Sequence, residues 1–239
     1  MALYTIGDTH LSLGADKPMD VFGARWTDHA EKIRSRWSSL ITEKDTVVIP
    51  GDFSWGLLLK DTVKDFEFID SLPGKKIISK GNHDYWWTTV TKMKRFLSEN
   101  GVQTVDFLYN NAYIVDNIAV CGSRGWFIEE KLQADIFNAD YTKLVKRECD
   151  RLSLSLAEGE KLKENRSIPT VAFLHFPPVY SDFVCEPIVD LLVSAKVDHV
   201  YYGHIHGDYY VPSTLEYRGL KFSLISADYL NFTPQRVFI

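Results

Sequence analysis

Residues 76–84 read Lys-Ile-Ile-Ser-Lys-Gly-Asn-His-Asp, an apolar run followed at once by a polar cluster. The run at residues 76–79 predicts a short buried strand, and the glycine after it allows a sharp turn. The strand would therefore deliver Asn82, His83 and Asp84 to its carboxyl end. The same order of apolar run and polar cluster recurs at residues 2–10, 46–52, 170–175 and 199–206.

Segments with helical spacing separate these strands. They cover residues 28–42, 60–71, 87–99, 138–164 and 184–196, the first with Asp28 as its N-cap. Asp116-Asn117 is a two-residue hairpin signal between strands at 113–115 and 118–120, and late strands are expected at 221–225 and 236–239. This order predicts one α/β domain over residues 1–239, with parallel strands first and a hairpin-rich second sheet.

Composition narrows the possible partners. The 239 residues are 45% hydrophobic and 25% charged, which is ordinary for a globular protein, and the net charge is -5. A mildly acidic chain has no general attraction for a phosphate backbone, so no long nucleic acid is expected as a partner. The start of the chain lacks the pattern of a signal peptide, and no apolar run approaches the length of a membrane span. Three scattered cysteines argue against a disulfide framework and favour a reducing, cytoplasmic location.

The polar clusters contain five of the seven histidines. Candidate metal ligands in them are Asp8, His10, Asp52, Asn82, His175, His204 and His206. Seven ligands are too many for one open transition-metal site and suit two ions about 3.5–4 Å apart. Oxygen and nitrogen ligands without a thiolate favour Mn, Fe, Zn, Co or Ni over Mg or Ca. Two of the clusters contain pairs two residues apart, which an extended strand end would project to one side.

The five clusters also carry a family resemblance. In order they read Asp-x-His, Gly-Asp, Gly-Asn-His-Asp, His and Gly-His-x-His, across residues 8–206. This pattern resembles the calcineurin-like metallophosphoesterases, in particular their bacterial phosphodiesterases and general phosphohydrolases. The resemblance implies a four-layer α/β/β/α sandwich of two mixed β-sheets flanked by helices, with a dinuclear metal site at the sheet edges.

The resemblance further implies a role for each cluster residue. Asp8, His10 and His206 would hold the first metal, Asn82, His175 and His204 would hold the second, and Asp52 would bridge them. A metal-bound hydroxide would attack phosphorus, and His83 would protonate the leaving oxygen as general acid. Asp84 would either orient His83 or close the turn.

One block departs from the protein phosphatases of this superfamily. Those enzymes extend the second block to Gly-Asp-x-x-Asp-Arg-Gly, whereas residues 51–56 read Gly-Asp-Phe-Ser-Trp-Gly. The missing aspartate removes a carboxylate partner of the acid histidine, and the missing arginine removes a phosphate clamp. We therefore expect a small phosphodiester or phosphomonoester as substrate rather than a phosphoprotein.

Several side chains near the clusters are candidates for substrate contact. Arg124, between two glycines, would either fork onto a phosphate or remain a surface turn residue. Of the aromatic residues 85–87, Trp86 is our candidate for stacking on a base or sugar, while at least one ring of the three is expected in the core. Trp26 and Trp55 are further candidates for lining the cleft.

Other functions remain compatible with these residues. They are a non-catalytic protein-binding scaffold, a nuclease and a lipid-linked nucleotide hydrolase. No basic amphipathic helix would bring the last of these to a membrane, so no membrane partner is expected. The pattern does not indicate an oligomeric state.

Overall fold

The computed structural model describes residues 1–126 and 141–239. Within these ranges the helices are α1 His29–Leu40, α2 Val63–Asp70, α3 Val90–Glu99, α4 Tyr141–Lys163 and α5 Glu186–Ser194. The strands are β1 Leu3–Thr5, β2 Thr46–Pro50, β3 Lys75–Ser79, β4 Val105–Phe107, β5 Tyr113–Val115, β6 Ile118–Ser123, β7 Thr170–Leu174, β8 Val179–Tyr180, β9 Phe183–Val184, β10 His199–Tyr202, β11 Thr214–Tyr217, β12 Leu220–Leu224 and β13 Gln235–Arg236. Single 3₁₀ turns lie at Met19–Phe22, Ala24–Trp26 and Leu59–Thr62.

Two mixed sheets form the centre of the fold. The first has five strands in the order β13-β1-β2-β3-β4, of which β1 to β4 are parallel. The second has six strands in the order β11-β12-β10-β7-β6-β5, parallel at its centre and antiparallel at both ends. β8 and β9 form a separate two-stranded ribbon.

Successive side chains along each strand face opposite sides of the sheet, and this explains the layers of the fold. In β2, Val48 packs in the cluster between the sheets, whereas Val47 and Ile49 face the cluster that contains α1, α2 and α3 residues. In β7, Phe173 faces the other sheet, whereas Leu174 faces the cluster that contains α4 and α5 residues. Both faces of each sheet are thus covered, which confirms the predicted α/β/β/α sandwich and explains why the parallel strands are apolar throughout.

The helices start and end close to the predicted positions, with three corrections. Asp28 lies at the N-cap of α1, but its φ is 51° and its side chain makes no capping hydrogen bond. The predicted helix at 60–71 is a 3₁₀ turn followed by α2. The helix predicted from residue 87 begins at Val90, where the Thr89 hydroxyl caps it by accepting from the Lys92 amide. Residues 138–140 of the fourth predicted helix lie outside the described residues.

The strand predictions show a similar pattern. β5 and β6 form the predicted hairpin, with both turn residues, Asp116 and Asn117, at positive φ. The last strand is shorter than predicted and covers only Gln235–Arg236, while β4 and β11 were not predicted. The segment at 11–27, between β1 and α1, contains two 3₁₀ turns. In the described ranges no helix has both the length and the apolar character to cross a bilayer.

Candidate metal centre

The candidate ligands all follow strands that run parallel to at least one neighbour in the sheet. Asp8, Asp52 and Asn82 lie beyond β1, β2 and β3, and His175, His204 and His206 lie beyond β7 and β10. The Asp8 carboxylate accepts from the His204 amide at 2.9 Å, so the two sheets meet directly at this edge. Ligand sites of α/β sheets are expected at such carboxyl ends.

One group of ligands consists of Asp8, His10 and His206, whose ligand atoms lie within 4.8 Å of one another. The Nε2 atoms of the two histidines are 3.2 Å apart, and His206 Nε2 is 3.8 Å from Asp8 Oδ1. Three side chains far apart in the sequence therefore converge on one small volume.

A second group shares Asp8 with the first. It contains Asp8, Asp52 and His175, again with ligand atoms within 4.8 Å of one another. His175 Nε2 lies 2.6 Å from Asn82 Oδ1 and 3.6 Å from Asp52 Oδ2. The ring of His204 packs edge-on against His175, with 5.2 Å between the centroids.

Asp52 belongs to the second group and also lies close to the first. Its Oδ2 is 3.7 Å from His10 Nε2 and 3.6 Å from His175 Nε2. Its Oδ1 accepts from the His83 amide at 2.8 Å, which fixes the orientation of the carboxylate. The position of Asp52 fits the bridge that the family resemblance implies.

The backbone reaches this arrangement in a way the sequence did not suggest. Four of the candidate ligands have left-handed φ values, 55° at Asp8, 45° at His10, 48° at Asp52 and 71° at His204. The extended conformation assumed for the pairs two residues apart is therefore wrong. Left-handed conformations are costly for residues with side chains and are concentrated at functional sites.

Glycines allow the close approach of the loops. A Cβ at Gly203 would overlap the Asp8 carboxylate, and a Cβ at Gly81 would overlap the Asp52 carboxylate. The glycine in two of the sequence clusters is thus a steric requirement of the ligand geometry.

The protein balances the charges of this centre only in part. Burial acts to lower the pKa of His206, but the hydrogen bond to Asp228 and the charge of Asp8 outweigh it, so the pKa is raised. Burial raises the pKa of Asp8, and burial together with Asp84 and Asp8 raises the pKa of Asp52 well above its ordinary value. Burial and neighbouring histidines hold the pKa values of His10 and His175 well below the usual range, so both rings are neutral. Buried carboxylates beside neutral imidazoles are suited to bind a divalent cation.

Hydrogen bonds direct the histidine lone pairs toward the centre. His206 Nδ1 donates to Asp228 Oδ1 at 2.7 Å, and His175 Nδ1 donates to the Pro50 carbonyl at 3.3 Å. In both rings Nε2 is then left as the acceptor that faces the other ligands. Such outer contacts orient metal-binding histidines. The residues present therefore fit a metal centre.

The sequence clusters did not include Asp228, a buried carboxylate that orients a candidate ligand. It is fully buried and accepts from His206, from the Gly207 amide at 3.1 Å and from the Tyr209 hydroxyl at 3.0 Å. Burial acts to raise its pKa, but the hydrogen bond and charge of His206 outweigh it, so the pKa is lowered. Asp228 follows β12 as the other clusters follow their strands, and that position was the available signal.

Asp84 closes the turn between two ligand loops. Its fully buried carboxylate accepts from the amides of Asp52, Phe53 and Gly81 at 2.7–2.9 Å and from the Trp86 indole at 3.0 Å. Burial raises its pKa to about 6 despite these donors. The contacts favour the turn-closing role over the alternative of orienting His83.

A large cavity lies beside the first ligand group, with a volume of about 880 Å³. His10, His206 and His83 lie in its wall, together with two of the suggested cleft residues, Trp26 and Trp55.

Trp86 does not face this cavity. It is 2% exposed and packs in the core against Phe53 and Phe66, so its proposed stacking on substrate is not supported. Its neighbour Tyr85 is 61% exposed and lines the cavity.

Arg124 lies next to the second ligand group. Its carbonyl accepts from the amides of His175 and Phe176, which ties its loop to a candidate ligand. Its guanidinium points toward α4, with Nη2 3.6 Å from the fully buried carboxylate of Glu148. Arg151 donates to the same Glu148 oxygen at 2.6 Å. A phosphate contact of Arg124 stays a prediction.

The family follows from a comparison with family models. The model of calcineurin-like phosphoesterases matches residues 1–208. The chain belongs to this family. Members typically bind divalent metals and hydrolyse phosphate esters, and the two ligand groups of this family member fit that chemistry. A comparison with curated proteins gives no match.

Solved structures share the fold at low sequence identity. The phosphopantetheinyl hydrolase of Mycobacterium tuberculosis is 14% identical, with a TM-score of 0.54 over 99% of this chain and 95% of its own. TT1561 of Thermus thermophilus is 9% identical, with a TM-score of 0.55 over 98% and 97%. A protein of unknown function from Aquifex aeolicus is 15% identical, with a TM-score of 0.50 over 98% and 95%. At these identities the likeness supports the fold alone.

Proposed function

We propose that this chain is a metal-dependent phosphoesterase that hydrolyses a small phosphodiester or phosphomonoester. The observation that carries the proposal is the pair of ligand groups, Asp8/His10/His206 and Asp8/Asp52/His175, built on one edge of two sheets and buried except for His206. We assign two transition-metal ions to them, with Mn, Fe, Zn, Co and Ni as candidates.

The proposed ligand sets are those that the family resemblance implies. Asp8, His10 and His206 would hold the first ion, Asn82, His175 and His204 would hold the second, and Asp52 would bridge them. Bound divalent ions would activate water and neutralise charge on the phosphoryl oxygens. The 2.6 Å approach of His175 and Asn82, two acceptors in the tautomer set by Pro50, supports their placement on one ion.

His83 is the proposed general acid. Its amide is held by the Asp52 carboxylate, and its ring lies against Trp55, with centroids 4.5 Å apart, in the wall of the cavity. This position lets it deliver a proton to a leaving oxygen that enters from the cavity side. Asp84 contributes by holding the loops of Asp52 and Gly81 together.

The proposed substrate is small. The net charge of -5 gives no general attraction to long nucleic acid, and the block at residues 51–56 lacks the aspartate and arginine of the protein phosphatases. We propose that Arg124, whose loop is tied to His175, assists with a phosphate oxygen. The free cysteines of the chain, Cys121, Cys149 and Cys185, support a reducing, cytoplasmic location.

The test is a hydrolysis screen of the purified chain, which detects p-nitrophenol, nucleotide monoester or inorganic phosphate according to the ester supplied. Metal-stripped protein is supplied with Mn, Fe, Zn, Co or Ni and assayed on bis-p-nitrophenyl phosphate, p-nitrophenyl phosphate, cyclic nucleotides and sugar phosphates. We expect turnover that requires added metal and disappears with chelator. If metal binds but no ester is hydrolysed, the enzymatic function is wrong and the scaffold alternative replaces it.

A further inference from the structure

The large cavity beside the metal centre carries a further inference about the substrate. We propose that it binds a flat aromatic ring on the leaving group, so that the substrate is an aryl or nucleoside type of phosphate ester. This rests on the proposed function, because the leaving group is defined by the reaction. The cavity volume of about 880 Å³ is far more than a phosphate needs.

The first observation is a stack of rings that runs outward from the metal centre. Trp55 stacks on His10 with 4.9 Å between centroids and an interplanar angle of 20°. Phe22 lies parallel to Trp55, at 6.4 Å and 5°. Trp55 and Phe22 both line the cavity. Parallel ring faces at the entrance of a cavity favour a flat ligand, since stacking rewards planar groups.

The second observation is that a ligand-like group already lies over these rings. The Lys17 ammonium is 4.2 Å from the Trp55 centroid and 5.7 Å from that of Phe22. The indole face is therefore accessible from the cavity. Because lysine is long and flexible, its head can leave this position when a ring enters the cavity.

The third observation is the exposed apolar rim. Phe22 is 56% exposed, Leu57 66% and Tyr85 61%, and all three line the same cavity. Apolar side chains concentrated beside a candidate active site indicate a surface that a ligand covers. Together with Trp26 they offer mostly apolar contacts.

The position of His83 indicates that the aromatic ring of the substrate belongs to its leaving group. The acid must lie within hydrogen-bond reach of the leaving oxygen. His83 lies in the cavity wall with Tyr85, and their ring centroids are 6.2 Å apart. A leaving oxygen beside His83 therefore directs its substituent into the cavity, past Trp55 and Phe22.

The binding test uses non-hydrolysable phosphonates and calorimetry on the Mn-loaded protein. The probes are methylphosphonate, octylphosphonate and 2-naphthylmethylphosphonate, of which the last two have comparable apolar area. We expect the naphthyl probe to bind about tenfold tighter than the octyl probe, the size of one aromatic stacking contact. Equal binding of the two, or tighter binding of the octyl probe, overturns the proposal in favour of an acyl-chain cavity.

Variants test whether the ring stack of Trp55 and Phe22 produces the preference for the naphthyl probe. Phe22→Ala should reduce the naphthyl-to-octyl preference by about tenfold, and Phe22→Tyr should retain it. Phe238→Ala is the matched control, because Phe238 is 61% exposed but lies outside this cavity. A preference that survives Phe22→Ala, or that falls equally in Phe238→Ala, contradicts the assignment.

A hydrolysis test separates this inference from the proposed function. Octyl and 2-naphthylmethyl esters of phosphate both release primary alcohols, so their chemical reactivity is similar. We expect kcat/KM to favour the naphthyl ester. Turnover of both esters without that preference overturns the ring site and leaves the phosphoesterase standing. Ring-selective phosphonate binding without turnover of any ester leaves the ring site standing and overturns the phosphoesterase.

Discussion

The two ends of strand β2 each carry a buried aspartate, and they differ in how the charge is satisfied. Asp45, before the strand, accepts from the Ala2 amide at 2.7 Å and from the Thr42 amide and hydroxyl at 2.8 and 2.7 Å. Burial acts to raise its pKa, but these hydrogen bonds lower it. Asp52, after the strand, lies among other carboxylates, and its pKa is raised well above its ordinary value by burial, Asp84 and Asp8.

The comparison shows which end of the strand is built for structure and which for ligand. The protein supplies its own donors at the amino end, so Asp45 stabilises the fold alone. At the carboxyl end the donors do not balance the charge, and a cation is needed. The same division holds in β10, where His199 at the first residue bonds to Ser223 while His204 and His206 lie beyond the last.

The largest effect on turnover is expected from neutralising Asp52, with Asp45 as the control. Asp52→Asn should lower turnover by at least about 10⁴-fold, because several kcal/mol of metal-dependent transition-state stabilisation are lost. Asp45→Asn should retain turnover within about threefold, since Asp45 lies at the far end of the same strand from the site. Steady-state kinetics with Mn check both. Comparable losses in the two variants would remove the distinction between the strand ends.

A smaller loss of turnover is expected at His83, with His199 as the control. His83→Ala should slow hydrolysis of an alkyl ester by about 10²-fold while metal stays bound, and should slow a p-nitrophenyl ester less, because a good leaving group needs no acid. His199→Gln, at the amino end of β10, should leave both rates unchanged. Full activity of His83→Ala on the alkyl ester would show that another group is the acid.

Substitution of Asp228 should affect metal affinity more than it affects the chemical step of turnover. Asp228→Ala removes the acceptor that orients His206 and should weaken metal binding by about 10–100-fold. Asp208→Ala, two residues from His206 but bonded to the Tyr180 hydroxyl, is the control. Titration of metal-stripped protein measures the difference. Unchanged affinity in Asp228→Ala would mean that His206 is oriented by packing alone.

The smallest effect is expected on the thermal stability of the metal-free protein. The raised pKa of Asp52 means that its ionised form destabilises the native state at pH 7, so Asp52→Asn should raise the Tm of the metal-free protein by about 2–4 °C, the shift that 1 kcal/mol gives in a domain of this size. The gain should vanish below about pH 3.9, the unfolded-state pKa, where the wild-type carboxyl is protonated in both states. Asp45→Asn should lower the Tm. Thermal unfolding in chelator checks the signs, and a lower Tm for Asp52→Asn would contradict them.

Much of this site could be predicted because each ligand cluster is local to one strand end. The clusters, their order and the separation of Asp45 from Asp52 follow from short segments. What could not be predicted depends on contacts between distant segments. Asp228 has no cluster around it, and its role appears only when β12 lies beside β10. Trp86 and Tyr85 are adjacent in sequence, and only the packing of Phe66 decides which ring is buried.

The most direct test of the account is anomalous diffraction from crystals soaked in Mn, collected at the manganese edge. We expect two peaks per chain on either side of the Asp52 carboxylate, one contacting Asp8, His10 and His206 and the other Asn82, His175 and His204. Crystals of Asp45→Asn should show the same peaks, and crystals of Asp52→Asn should lose at least one. A single peak away from Asp52, or two peaks that survive Asp52→Asn unchanged, would contradict the assignment of this strand end as the bridge of a dinuclear centre.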